Sequence, residues 1–232
     1  MPNAEKHSLN IEVFRARVMR DGIPCGLRGR ELELSIALGL RRAFSARRHL
    51  NEKLWPHQTK ESAAAALRTT VHRLRRQLAD DSAIVHEGDY RIGDHVVVDV
   101  ERARGLLERF RMQSGEDREH AAALESVFDG FKGDLPPLYG KWPWFDAFRL
   151  HLVELRRDAC IALMEHHLRA RNLQRAVQLG DYLLGLDRDD DTAAMLLVLA
   201  LINDGKLSEA RRKVRALGRV PGPEVLALIG EE

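Results

Sequence analysis

The chain has 232 residues, 44% of them hydrophobic and 31% charged, with a formal net charge of +2. That length allows one large or two small domains, each able to bury a core, and the composition excludes a disordered polymer. The charge is uneven: residues 1–100 carry 17 Lys+Arg against 13 Asp+Glu, a surplus that permits an anionic partner for that half.

In chain order, Leu9, Ile11 and Val13 alternate and predict a strand, and Asp21-Gly22 signals a hairpin turn. Residues 31–44, ELELSIALGLRRAF, predict a first helix. Ser45 is the expected N-cap of a second, ARRHLNEKLW, which Pro56 ends. HQTK is a short loop, and ESAAAALRTTVHRLRRQLAD, residues 61–80, predicts a third helix. AIVHEGDYRIGDHVVVDV alternates around Gly88-Asp89 and Gly93-Asp94 and predicts a hairpin. Small strands, three helices and a closing hairpin are the order that a winged helix-turn-helix domain requires. From 101 on the pattern is helical, except for a Pro/Gly-rich connector at 129–144. There Ala176 and Ala210 hold the same place in two similar stretches, at the 34-residue period of tetratricopeptide helix pairs. The expected fold class is therefore mainly α with small β elements. A winged helix-turn-helix domain over 1–100 precedes an all-α tetratricopeptide-like domain over 101–232.

At ~100° per residue, Leu67, Val71, Leu74 and Leu78 of the third helix form one narrow stripe that must face a core. Opposite lie Ser62, Ala65, Thr69, His72, Arg73 and Arg76, with Arg68 and Arg75 at the sides. This outer face starts small and ends cationic. Small side chains allow close approach of a backbone, and arginines beyond them can grip base edges or phosphates. A helix lying in the DNA major groove needs both. Residues 62–77 hold no carboxylate to pair with these arginines.

The stretches LRGRELELSIALGLRRAFSARRHLNEKLWP, ESAAAALRTTVHRLRRQLAD and GDYRI…VVVDVERARGLL resemble the SARP-type regulators of bacteria. FDGFKGDLPPLYGKWPWFDAFRLHLVELRRDA continues the resemblance, which covers about residues 9–218. Those proteins join an OmpR-type winged helix to a bacterial transcriptional activator domain. The resemblance implies a sequence-specific transcription regulator, usually an activator, with promoter DNA and RNA polymerase as partners. It places Thr69, His72, Arg73 and Arg76 in the major groove, and assigns the loop His57, Gln58, Thr59 and Lys60 to polymerase contact. Arg68, Arg47, Arg48, His86 and Arg91 complete the expected DNA-binding set. The wing tip departs from the family: VHEGDYR carries Glu87 and Asp89 where an arginine is common. The helical domain is expected to meet a second copy or a protein partner. The rival function is a protein–protein adaptor whose winged helix has lost DNA affinity.

Nothing in the sequence predicts an enzyme, a cofactor or a metal. Cys25 and Cys160 have no metal-ligand spacing. DRDDD at 187–191 reads as a helix-start cluster rather than a calcium loop, because Thr192 stands where that loop needs glycine. Glu165-His166-His167 reads as a surface histidine pair, and Trp142 and Trp144 as core anchors. MPNAEKHSLN has no apolar core and the longest apolar run is AAMLLVLALI, so a cytoplasmic protein without a membrane span is expected.

Overall fold

The computed structural model describes residues 8–41, 43–112, 118–218 and 222–230. The chain opens with an antiparallel meander of β1 (Leu9–Glu12), β2 (Arg17–Arg20) and β3 (Ile23–Pro24). Arg20 faces Ile23 across Asp21-Gly22, and both turn residues have positive φ (51° and 79°), the geometry of a type I′ hairpin. The sheet closes with β6 (Val97–Val98), parallel to β1, in the order β3-β2-β1-β6. Val13 does not continue β1 but begins a 3-10 turn, Val13–Arg15. The Asp99 carboxylate accepts the backbone N–H groups of Val13 (2.9 Å) and Phe14 (3.2 Å), which draws this backbone out of the ladder.

Three helices follow: α1 (Gly29–Gly39), α2 (Arg47–Leu54) and α3 (Lys60–Leu78). Leu34, Ile36, Leu38, Leu54, Leu67 and Leu74 are fully buried among them. α1 stops at Gly39 rather than running to Phe44, because the chain is needed elsewhere. Ser45 exchanges two backbone hydrogen bonds with Tyr90 (2.7 and 3.1 Å) and forms a bridge beside the wing. Ser45 is therefore not the cap of α2. The N-cap position is Ala46, which has no capping side chain, and Arg47 N–H donates instead to Asp89 Oδ1 at 3.2 Å.

The wing is β4 (Ile84–Glu87) paired antiparallel with β5 (Asp89–Ile92) around Gly88. The second turn, Gly93-Asp94, does not extend this hairpin; it returns the chain to β6 in the first sheet. Gly93 is required there, since a Cβ would lie 2.3 Å from the Ser82 carbonyl oxygen.

α4 (Asp99–Met112), α5 (Arg118–Phe131), α6 (Asp146–Arg169), α7 (Leu173–Leu186), α8 (Asp191–Asn203), α9 (Leu207–Ala216) and α10 (Pro223–Ile229) complete the described chain. The winged helix is thus followed by an all-α region, and the protein is mainly helical with small sheets. The chain divides into two units. One holds residues up to Arg102 together with Gly130–Arg149, and the other holds Ala103–Asp129 and the chain from Leu150 on. The division falls near residue 100, but the connector sorts with the winged helix. Its two 3-10 turns, Pro137–Lys141 and Pro143–Phe145, stack Tyr139 on Phe145 with ring centroids 3.8 Å apart. The Tyr139 hydroxyl donates to the Val13 carbonyl, Phe131 stacks on Phe14 at 3.8 Å, and Trp144 Nε1 donates to Glu33 at 2.8 Å. Trp142 is buried and Trp144 half-buried.

In the helical unit α8 packs against α7, α9 and α10. Ala176 and Ala210 are fully buried. Asp190 caps α8 by accepting Ala193 N–H at 3.0 Å, and Arg157 holds the same carboxylate. His166 and His167 are buried, not on the surface as the sequence suggested: His166 meets the Phe110 ring edge-on and His167 lies 3.4 Å from Glu125. α6 is covered on adjacent faces, so neighbouring positions are both enclosed. No group of His, Cys, Asp and Glu able to hold a metal occurs among the described residues.

Candidate nucleic-acid interface

α3 carries the candidate interface, and its two ends are well made. Thr59 Oγ1 accepts Ser62 N–H at 3.3 Å as N-cap. At the other end Ala79 closes the helix in the left-handed region, and Arg20 Nη1 donates to the Leu78 carbonyl at 3.2 Å. Ala63, Leu67, Thr70, Val71, Leu74 and Leu78 are buried, which is the stripe expected from the periodicity with two additions. The opposite face is exposed along its whole length: Ser62, Ala65, Arg68, Thr69, His72, Arg73 and Arg76. Arg75, at the side, is half-buried and donates to the Ile84 carbonyl, so it fastens the wing to the helix.

One feature of this face was invisible along the helix itself. Glu31 of α1 places Oε1 3.9 Å from Arg73 Nη1. The carboxylate absent from residues 62–77 is supplied by another helix. Arg73 remains 67% exposed, so the pair is weak and screened.

The wing explains its own acids. Asp89 is half-buried and accepts from the first N–H of α2, where the helix dipole favours negative charge. Arg47 lies against the hairpin, with Nη2 3.4 Å from the Gly88 carbonyl and 3.3 Å from His86 Nε2. His86 is exposed and stacks on Tyr90 at 4.4 Å. Arg91 is held by the Ile92 carbonyl (3.1 Å) and Asp94 (2.7 Å), over the Phe44 ring. Glu87 is exposed. Arg48 is exposed in an ion pair with Glu52 at 2.8 Å. At the foot of the wing His95 Nε2 lies 2.7 Å from Asp80. Burial works against the Asp80 carboxylate, but hydrogen bonds from Ser82 and His95 outweigh it and hold its pKa below the usual value.

His57, Gln58 and Thr59, in the turn between α2 and α3, and Lys60, the first residue of α3, are all exposed. Beside them a cleft of about 280 Å³ is lined by Arg48, Asn51, Trp55, Pro56, Gln58 and Lys60, among others. Gln58 and Thr59 secure the start of α3 through Ser62.

The described elements therefore form a winged helix whose third helix has one apolar and one cationic face. The fold is similar to that of Mycobacterium tuberculosis EmbR. A solved structure of that protein in complex with a low affinity phosphopeptide matches with a TM-score of 0.78 and 17% identity, over 97% of this chain. This chain spans 65% of the length of EmbR in that structure. Neither protein-family models nor curated proteins match the sequence. At this identity the EmbR likeness establishes the shared fold, a winged helix followed by a helical region. No described helix is long and apolar enough to cross a membrane.

Proposed function

We propose that the chain is a sequence-specific DNA-binding transcription regulator of the SARP type. One observation carries this: a capped, 19-residue helix buries its apolar stripe in a complete winged helix and turns Arg68, Thr69, His72, Arg73 and Arg76 outward together. Laid in a major groove, that face brings its small residues to the backbone and its guanidinium groups to base edges and phosphates. Arg48 adds a phosphate contact, since an exposed ion pair with Glu52 is broken at little cost. His86 adds a second from the wing. Arg47 and Arg91 act through the wing they hold. The turn His57–Lys60 and its cleft form the surface offered to RNA polymerase, which makes the protein an activator. The helical unit, built of tetratricopeptide-like pairs, meets a second copy or a protein partner. The EmbR structure holds a phosphopeptide, which supports a protein or peptide as the class of further partner.

The adaptor reading drew on the acidic wing. Asp89 is engaged at the start of α2, which leaves Glu87 as the exposed acid there and removes most of that objection. The test is selection of bound sequences from random duplex DNA with the full chain, followed by titration of Arg76→Ala on the selected motif. Recovery of one motif, and a loss worth ~1–3 kcal/mol on Arg76→Ala, is the expected result. Recovery of no motif contradicts the proposal.

A further inference from the structure

The outer face of α3 contains one side chain able to read a base either by its hydroxyl or by its methyl group. That residue is Thr69, exposed and one turn before Arg73. Its Oγ1 donates to the Ala65 carbonyl, one turn back, at 3.0 Å. A threonine hydroxyl has a single proton, and here that proton is used. With its proton given to the preceding turn, Oγ1 is left only as an acceptor, and Cγ2 is the apolar group available to a partner. Ala65, also exposed, adds a second methyl beside it. The cationic half of the face begins at His72 and Arg73, so Thr69 sits where the helix passes from close approach to charged contact.

In the major groove, thymine alone among the four DNA bases presents a 5-methyl group. We infer that Thr69 is a specificity-determining residue that recognises the 5-methyl group of a thymine through its own Cγ2 methyl, and not a base edge through its hydroxyl. This rests on the DNA-binding reading of α3. It adds that the recognised site carries a thymine beside the bases that Arg73 and Arg76 contact.

The hydroxyl and the methyl can be separated on both partners. On the protein, Thr69→Val keeps the methyl and removes the hydroxyl, and Thr69→Ser does the reverse. On the DNA, uracil in place of thymine removes only the 5-methyl group. The experiment titrates the full chain and both variants on the duplex recovered by selection, with each thymine replaced in turn by uracil. One uracil substitution should weaken the unaltered protein by about fourfold, the worth of one buried methyl-sized group. Thr69→Val should bind as the unaltered protein does and keep that sensitivity. Thr69→Ser should lose about the same factor and be indifferent to uracil at that position. A duplex on which Thr69→Ser binds normally and Thr69→Val binds weakly would overturn the inference, as would insensitivity to uracil at every thymine. If Arg76→Ala still weakens binding in that case, the DNA reading survives and only the methyl assignment fails. Absence of any duplex binding removes both.

Discussion

Asp89 shows how a residue's role depends on its partner across the chain. Beside Glu87 in sequence it reads as a charge that phosphates would repel. In the structure it supplies the capping acceptor that Ala46 cannot supply to α2. Asp89→Ala should therefore lower stability by ~0.5–2 kcal/mol, the usual worth of an N-cap acceptor, and thermal unfolding reads this directly. Glu87→Gln, at an exposed site, should leave melting unchanged and tighten binding slightly and equally on specific and random DNA. A sequence-selective change on Glu87→Gln would place the wing against bases. Asp99 gives a pH dependence. Burial pushes its carboxyl up to about 6, although the N–H groups of Val13, Phe14 and Val100 favour the charged form. In the unfolded chain the group reverts towards its ordinary value of ~3.9. As pH rises the unfolded chain loses this proton first, so the unfolded state is favoured between the two values. On this group's account, stability is full below about pH 4 and falls as pH rises through about 6. Asp99→Asn should abolish that slope in urea titrations run from pH 4 to 7, whatever its effect on absolute stability. An unchanged slope would show that Asp99 does not titrate there.

Among elements, α3 was the most legible in the sequence, because a single period repeated from Leu67 to Leu78 leaves only one buried face. The type I′ hairpin was legible for a similar reason: Asp-Gly has few other uses between extended residues. The end of α1 was not. Leu40 and Phe44 continue the apolar pattern, and the bond that ends the helix runs from Ser45 to Tyr90, far along the chain. The same distance hid Glu31 from Arg73 and Asp89 from α2. Ala176 and Ala210 are fully buried, and Gly180, which carries no comparable signal in the sequence, sits at a tight helix contact. A Cβ at Gly180 would lie 2.9 Å from both Leu197 Cβ and Met164 Cε, so α7 meets two helices there at once. Gly180→Val should destabilise the helical unit by ~1–3 kcal/mol through overpacking, and Ala210→Leu should act similarly. Both are measured by denaturant unfolding. A midpoint unmoved by Gly180→Val would mean the helices are looser than their geometry indicates.

At the scale of the whole molecule, the winged helix is not confined to the first hundred residues. Tyr139, Trp144 and Phe131 return from the connector to Val13, Glu33 and Phe14. Burial raises the Tyr139 hydroxyl well above its usual pKa, so it remains a donor. A fragment ending at Arg102 lacks these partners and should melt at a lower temperature than the winged-helix transition of the full chain. Equal melting would mean that the connector adds nothing. The proposed function has this unit bind duplex DNA through the outer face of α3. Its most direct measure is the slope of log affinity against log salt for the selected duplex, compared between the full chain and Arg76→Ala. Each phosphate contact contributes about −0.9 to that slope and each base contact almost nothing. A steep slope is expected, together with a loss of affinity on Arg76→Ala that is far larger on the selected duplex than on random DNA. A shallow slope, or equal affinity of both proteins for both DNAs, would contradict it.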